Sequence, residues 1–206
     1  MIVLKTILEL DIVHASPSIW YEEGYIDKEK YEELISMDKR TRVIKTGLMR
    51  KDNSILTEAL YNGYNKYIAK LKEANNIQDS DILYTDHDAV WLIDTAPDIL
   101  EFGNVHFAIK NVYEMMYMYK HYKFFIESIT QNLVTKGVQH LDGSPLLALI
   151  KSVMIDYMNK DREMCYRKLH KAKKALAQDY EAYGPSLTNS PVFNLQLVNN
   201  MIILFT

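Results

Sequence analysis

The sequence predicts an α+β fold: a small antiparallel sheet with helices over the first hundred residues, then a helical C-terminal annex and an extended tail. Three observations carry that expectation. Glycine and proline, at 7 and 5 of 206 residues, are too scarce for the many turns of an all-β sandwich. Two apolar runs, residues 2–12 and 81–93, have the β-branched or aromatic content of strands. The segments between and after them place apolar residues at helical spacing. With 48 % apolar and 25 % charged residues the chain can bury a proper core.

The elements follow in order. Residues 2–12 (IVLKTILELDI) read as a strand that ends in a lone acid, Asp11. Ser18 to Tyr25 reads as a short helix or turn behind Pro17, since proline is comfortable in a first helical turn. Asp27 is placed to cap a helix from Lys28 to about Met37, with Tyr31, Leu34 and Ile35 on one face. A basic segment follows, DKRTRVIKTGLMRKDNS. Ser54 is expected to cap a helix to about Ala74, with Leu56, Leu60, Tyr64, Tyr67, Ile68 and Leu71 at helical spacing.

Residues 81–93 (DILYTDHDAVWLI) read as a hairpin or a bulged strand, apolar on both sides of an acidic centre. A long helix is expected from about Val105 to Asn132, and Gly143-Ser144-Pro145 opens one or two further helices from Leu146 to Tyr183. The last stretch reads as extended, with a strand candidate at Met201–Phe205. The expected organisation is therefore an α+β region over 1–100, a helical annex over 105–183 and a docking tail over 184–206.

Composition excludes several classes. No stretch approaches the roughly 20 apolar residues that span a bilayer, and the N-terminal run, broken by Lys5, Glu9 and Asp11, is not expected to act as a signal peptide. A single cysteine, Cys165, rules out an internal disulfide framework and fits a reducing compartment, so a cytoplasmic location is expected. The formal net charge of −3 argues against a protein that coats nucleic acid, although a local basic face remains compatible with it.

The acidic strand ends carry the chemistry. Tyr84-Thr85-Asp86-His87-Asp88 sets two carboxylates at i and i+2 between apolar flanks. Acids at the tip of a buried hairpin suit a divalent cation, because Mg²⁺ takes hard oxygen ligands, usually one or two carboxylates completed by water and phosphate. With Asp11 on a neighbouring strand three carboxylates converge, a set able to hold two metals about a phosphoryl group. The plain alternative is turn chemistry, since Asp caps its own backbone and tolerates left-handed conformations. His87, between the acids, reads as a turn residue.

Asp11-Ile-Val-His-Ala-Ser-Pro17-Ser18-Ile19 resembles the first palm motif of family-B DNA polymerases, an Asp followed at the sixth and seventh positions by Pro-Ser. Tyr84-Thr-Asp86-His-Asp88-Ala resembles their third motif, Tyr-Gly-Asp-Thr-Asp-Ser. The likeness covers residues 5–93. It implies a reduced palm-like domain in which Asp11 and Asp86 bind Mg²⁺ or Mn²⁺ with Asp88 in support, giving a nucleotidyltransferase-like phosphoryl transfer. The family's triphosphate-binding Lys falls in the intervening basic helix, where Lys39, Arg42 and Lys45 match. Ser16 stands where the family has a sugar-sensing Tyr, and Thr85 where it has Gly.

A non-enzymatic alternative is an assembly subunit of a larger particle, such as a viral one. Met115, Met116 and Met118 alternate with Tyr113, Tyr117, Tyr119 and Tyr122, a composition suited to a core or a subunit contact. The apolar tail 191–206 must be buried somewhere. On that reading the partners are copies of this chain or other subunits, held through 113–122 and 191–206. On the polymerase-like reading the partner is a nucleotide or nucleic acid, and on neither is it a membrane.

Overall fold

The computed structural model describes residues 1–138, 143–186, 188, 190 and 192–206. It is an α+β protein whose paired strands are all antiparallel. The chain forms two compact units, Ile7–Asn111 and the combination of Met1–Thr6 with Val112–Thr206. The boundaries fall inside strands β1 (Ile2–Ile12) and β5 (Val105–Tyr119).

In the unit Ile7–Asn111, the hairpin of β2 (Ile82–Asp86) and β3 (Ala89–Ile93) lies beside β1, in the order β2-β3-β1-β5. β1 pairs with β3 from Ile7↔Ile93 to Asp11↔Ala89. The short β4 (Glu101–Phe102) pairs with the start of β5. Four helices connect β1 to β2: α1 (Ala15–Glu22), α2 (Lys28–Ser36), α3 (Lys39–Asp52) and α4 (Ser54–Ala74). Asp27 caps α2 by accepting from the Lys30 amide, as its position implies. The cap of α4 is Asn53, one residue before the expected Ser54, and its side chain accepts from the Ile55 amide.

α1 starts three residues before the expected Ser18, because His14 takes a left-handed conformation (φ 50°) that turns the chain as soon as β1 ends. α1 and α4 approach closely at Gly63, where a Cβ would stand 2.3 Å from Ile19 Cγ2. Trp20 is buried against Leu56 and Ala59, and its indole N–H donates to the Leu56 carbonyl at 2.8 Å.

The other unit corrects two expectations. The region expected to be one helix from Val105 to Asn132 is instead β5, which turns at Lys120-His121 into β6 (Tyr122–Glu127), followed by β7 (Leu133–Lys136). Lys120 takes φ 57°, so the turn is made without the glycine that marks such turns in sequence. Tyr113, Met115, Met116 and Tyr117 are fully buried in this unit's core. The helical part begins at Pro145: α5 (Pro145–Met158), with Ser144 as its cap, and α6 (Arg162–Gln178).

The segment expected to be an extended tail ends in helix α7 (Phe193–Phe205). Phe193, Leu197, Val198, Met201 and Phe205 are buried with residues of α5, α6 and β6 in this unit's own core. Tyr117 and Tyr157 meet the Phe205 ring edge-on at 5.2 and 5.1 Å, and the Tyr117 hydroxyl donates to Asn200 at 3.0 Å. The apolar face of this segment therefore packs in cis within the unit. Residue 191, the first of the expected docking segment, lies outside the described residues. Among the described residues no helix is long and apolar enough to cross a membrane.

Candidate functional site

The unit Ile7–Asn111 holds a cleft of about 410 Å³ where β1 ends. Its floor is the β1–α1 connection from Asp11 to Pro17. One wall is α3: Lys39, Arg42, Val43 and Thr46, spaced i, i+3, i+4 and i+7, share a single helical face and all line the cleft. Asp38 caps this helix, accepting from the Arg40 amide at 3.0 Å and the Thr41 amide at 3.1 Å, which fixes where the basic face begins. The rest of the lining is Asp88 from the β2–β3 turn, Tyr64 from α4, and Ala108 and Lys110 from β5.

Sheet register brings the carboxylates here. Asp11 pairs with Ala89, and the next amide, Ile12 N–H, donates to the Asp88 carbonyl at 2.9 Å. His87 takes φ 52° and lets the hairpin close over two residues, which leaves Asp88 beside the end of β1.

The electrostatics are mixed. Lys110 Nζ lies 2.5 Å from Asp11 Oδ2 and 3.3 Å from Oε1 of Glu9, whose side chain is fully buried. Asn111 donates to the other Glu9 oxygen at 2.9 Å. Burial works against the Lys110 ammonium, but the hydrogen bond it donates to Asp11 and the charges of Glu9 and Asp11 outweigh that and raise its pKa. Asp11 Oδ1 is buried without a hydrogen-bond partner. Burial first, and the Asp11 charge next, push the Asp88 carboxyl above the usual carboxylate range. Burial, then Arg42 and His106, push His14 down, towards the neutral imidazole.

The family described as Bacteriophage PBS1 gene 130 protein matches residues 2–184, most of this chain. The chain belongs to that family. No curated protein matches it. The matched segment contains every residue that lines the cleft and ends before α7. A phage family agrees with the viral setting expected for the assembly alternative.

In this phage-family chain the six residues singled out from sequence divide four to two. Asp11, Asp88, Lys39 and Arg42 all line the cleft. Asp86 does not: it ends β2, with Ala89 of β3 standing between it and Asp11, so the two backbones are roughly 10 Å apart at the usual strand spacing. Its carboxylate is largely exposed and sits 2.8 Å from the His87 ring. The resemblance implied Asp86 as ligand and Asp88 as support; of the two, Asp88 lines the cleft and Asp86 does not. Lys45 turns away from the cleft to pair with Glu33 on α2.

The expected convergence of three carboxylates is also corrected. Among the described residues no group of three His, Cys, Asp or Glu side chains is set to hold a metal ion. Lys110, Tyr64 and His14 are the cleft residues that sequence reasoning missed. Lys110 fell inside a segment read as helix, and only the pairing of sheet strands sets it against Asp11. Tyr64 carried the helical spacing of a core residue, which it half is.

Proposed function

We propose that this cleft binds the polyphosphate of a nucleotide together with Mg²⁺ or Mn²⁺, as the site of a reduced palm-like, nucleotidyltransferase-like domain. The observation that carries the reading is the meeting of Asp11 and Asp88 with Lys39 and Arg42 in one cleft, from elements far apart in sequence. The residues fit a cation. Asp11 Oδ1 is a buried oxygen lacking a donor, and Asp88 is held up in pKa by its burial and by the Asp11 charge. A divalent cation between them satisfies the first and relieves the second. Two carboxylates suffice when phosphate oxygens and water complete the shell.

Lys39 and Arg42, one helical turn apart, hold phosphate oxygens from the α3 wall. The Arg42 guanidinium is already oriented, since Nη1 donates to the Met37 carbonyl at 2.9 Å. Lys110 balances Glu9 and Asp11 while the cleft is free of cation. When bound, the cation supplies neutralisation of charge at the transferring phosphoryl group.

Thermal melts test the reading. Millimolar Mn²⁺ with tripolyphosphate should raise the melting temperature, because a ligand that binds only the folded state stabilises it. Asp88→Asn and Arg42→Ala should each abolish the rise, while Asp86→Asn and Lys45→Ala should leave it intact. A wild-type melt indifferent to Mn²⁺ and tripolyphosphate, alone or together, would sink the proposal.

A further inference from the structure

We infer that Tyr61, Tyr64 and His87 form a stacking ledge for a nucleobase at the edge of the cleft, so that its ligand is a nucleoside polyphosphate and not an inorganic one. The inference rests on the polyphosphate reading above. Tyr64 lines the cleft. Its ring meets Tyr61 at 6.0 Å and 86°, and His87 at 6.1 Å and 84°, while Tyr61 and His87 stand 5.7 Å apart at 49°. These three rings come from two elements. Tyr61 and Tyr64 are i and i+3 on α4, and His87 is held at the tip of the β2–β3 hairpin by its left-handed backbone.

The cluster has the two properties a stacking surface needs. It is rigid: each ring is braced edge-on or at a tilt by the other two, and Asp86 fixes the His87 imidazole through Nδ1 at 2.8 Å. It is also open, since Tyr61 is 46 % exposed and the His87 side chain 59 % exposed. Rings wanted only for packing would be covered, because burial of an aromatic side chain is where its stabilisation arises. An exposed, pre-oriented aromatic surface costs a ligand little entropy, and every base offers a π face to it.

Its position matters as much as its chemistry. Asp88 follows His87 directly, and Tyr64 shares the cleft with Lys39 and Arg42. An aromatic edge and a basic wall on one cleft match a molecule that is planar at one end and polyanionic at the other. The arrangement also gives Asp86 a use: it orients the ledge.

Calorimetric titration of the full chain in Mn²⁺ with tripolyphosphate, ATP and CTP tests the inference. The nucleoside triphosphates should bind roughly tenfold more tightly than tripolyphosphate, the gain expected from stacking one base on aromatic side chains. Tyr61→Ala should remove that advantage and leave tripolyphosphate affinity unchanged, and Tyr61→Phe should retain it. Equal affinities for the three ligands in the wild type would overturn the ledge and leave the polyphosphate site standing. A nucleotide advantage that survives Tyr61→Ala would place the base elsewhere and overturn the ledge too. No binding of any of the three would overturn the ledge and the site together.

Discussion

Asp86 and Asp88 stand two residues apart, yet only Asp88 faces the cleft. The difference is one of position in a hairpin: Asp86 is the last paired residue of β2, whereas Asp88 lies in the turn beside the end of β1. Glu23 shows a carboxylate used for structure in the same unit. Placed at the end of α1, it accepts from Lys66 Nζ at 2.8 Å and from the hydroxyl of the buried Tyr67 at 2.6 Å. The Lys66 hydrogen bond, aided by Tyr67, holds its pKa below the ordinary glutamate value. A carboxyl with a lower pKa in the folded state stabilises the fold above its ordinary pKa, and that contribution fades as pH falls through the folded value. Glu23→Gln keeps an acceptor for Tyr67 and removes the charge. It should therefore cost about 1 kcal/mol near neutral pH. The gap to wild type should narrow as pH falls below about 4, where the native side chain also becomes neutral. Urea titrations at the two ends of that range check this, and a gap independent of pH would show that the charge contributes nothing.

Among the elements, helices with clear caps were legible and the Met/Tyr strand was not. Asp27 and Ser144 mark their helices in sequence and cap them in the structure. β5 offers Val105, Phe107, Ile109 and Tyr113 at a period of two, but a β-bulge between Tyr113 and Met115 breaks the alternation. Its turn carries neither Gly nor Pro. α7 hid for the converse reason: its start at Val192 has no side-chain cap, although Phe193, Leu197, Met201 and Phe205 recur every four residues. The α1–α4 contact gives an element-scale prediction. Gly63→Ala would gain helix propensity of about 1 kcal/mol, but its methyl would enter the space of the fully buried, β-branched Ile19. Overpacking of about 1–3 kcal/mol should win, so a lower melting temperature is expected, and Ile19→Val in the same chain should restore part of it. An unchanged or higher melting temperature for Gly63→Ala would show that the helices can part freely.

For the whole molecule, the decisive segment is α7. Its five buried apolar side chains are worth on the order of 10 kcal/mol of apolar burial, comparable to the entire stability of a domain. Deleting 193–206 should therefore unfold the core of the unit Met1–Thr6 with Val112–Thr206 and produce aggregates. Circular dichroism and sedimentation of full-length and truncated protein check this. A well-folded truncated monomer derived from a full-length oligomer would instead restore the docking of this segment between copies.

By itself the sequence determined the α+β class, β1, the β structure over 81–93, α2, α4 and the helical region that opens after Ser144, because each is written in local periodicity or punctuated by a cap or turn residue. It also supplied the right types of residue for the cleft, an acid at a strand end, acids in a hairpin and a basic helix. Only tertiary structure decided which of them meet. Side chains of a strand alternate, and strands pair across any separation in sequence, so the choice of Asp88 over Asp86, the placing of Lys110 against Asp11, and the burial of α7 all depend on contacts that no local pattern encodes. Lys110 and Asp11 are 99 residues apart in the chain and 2.5 Å apart in space.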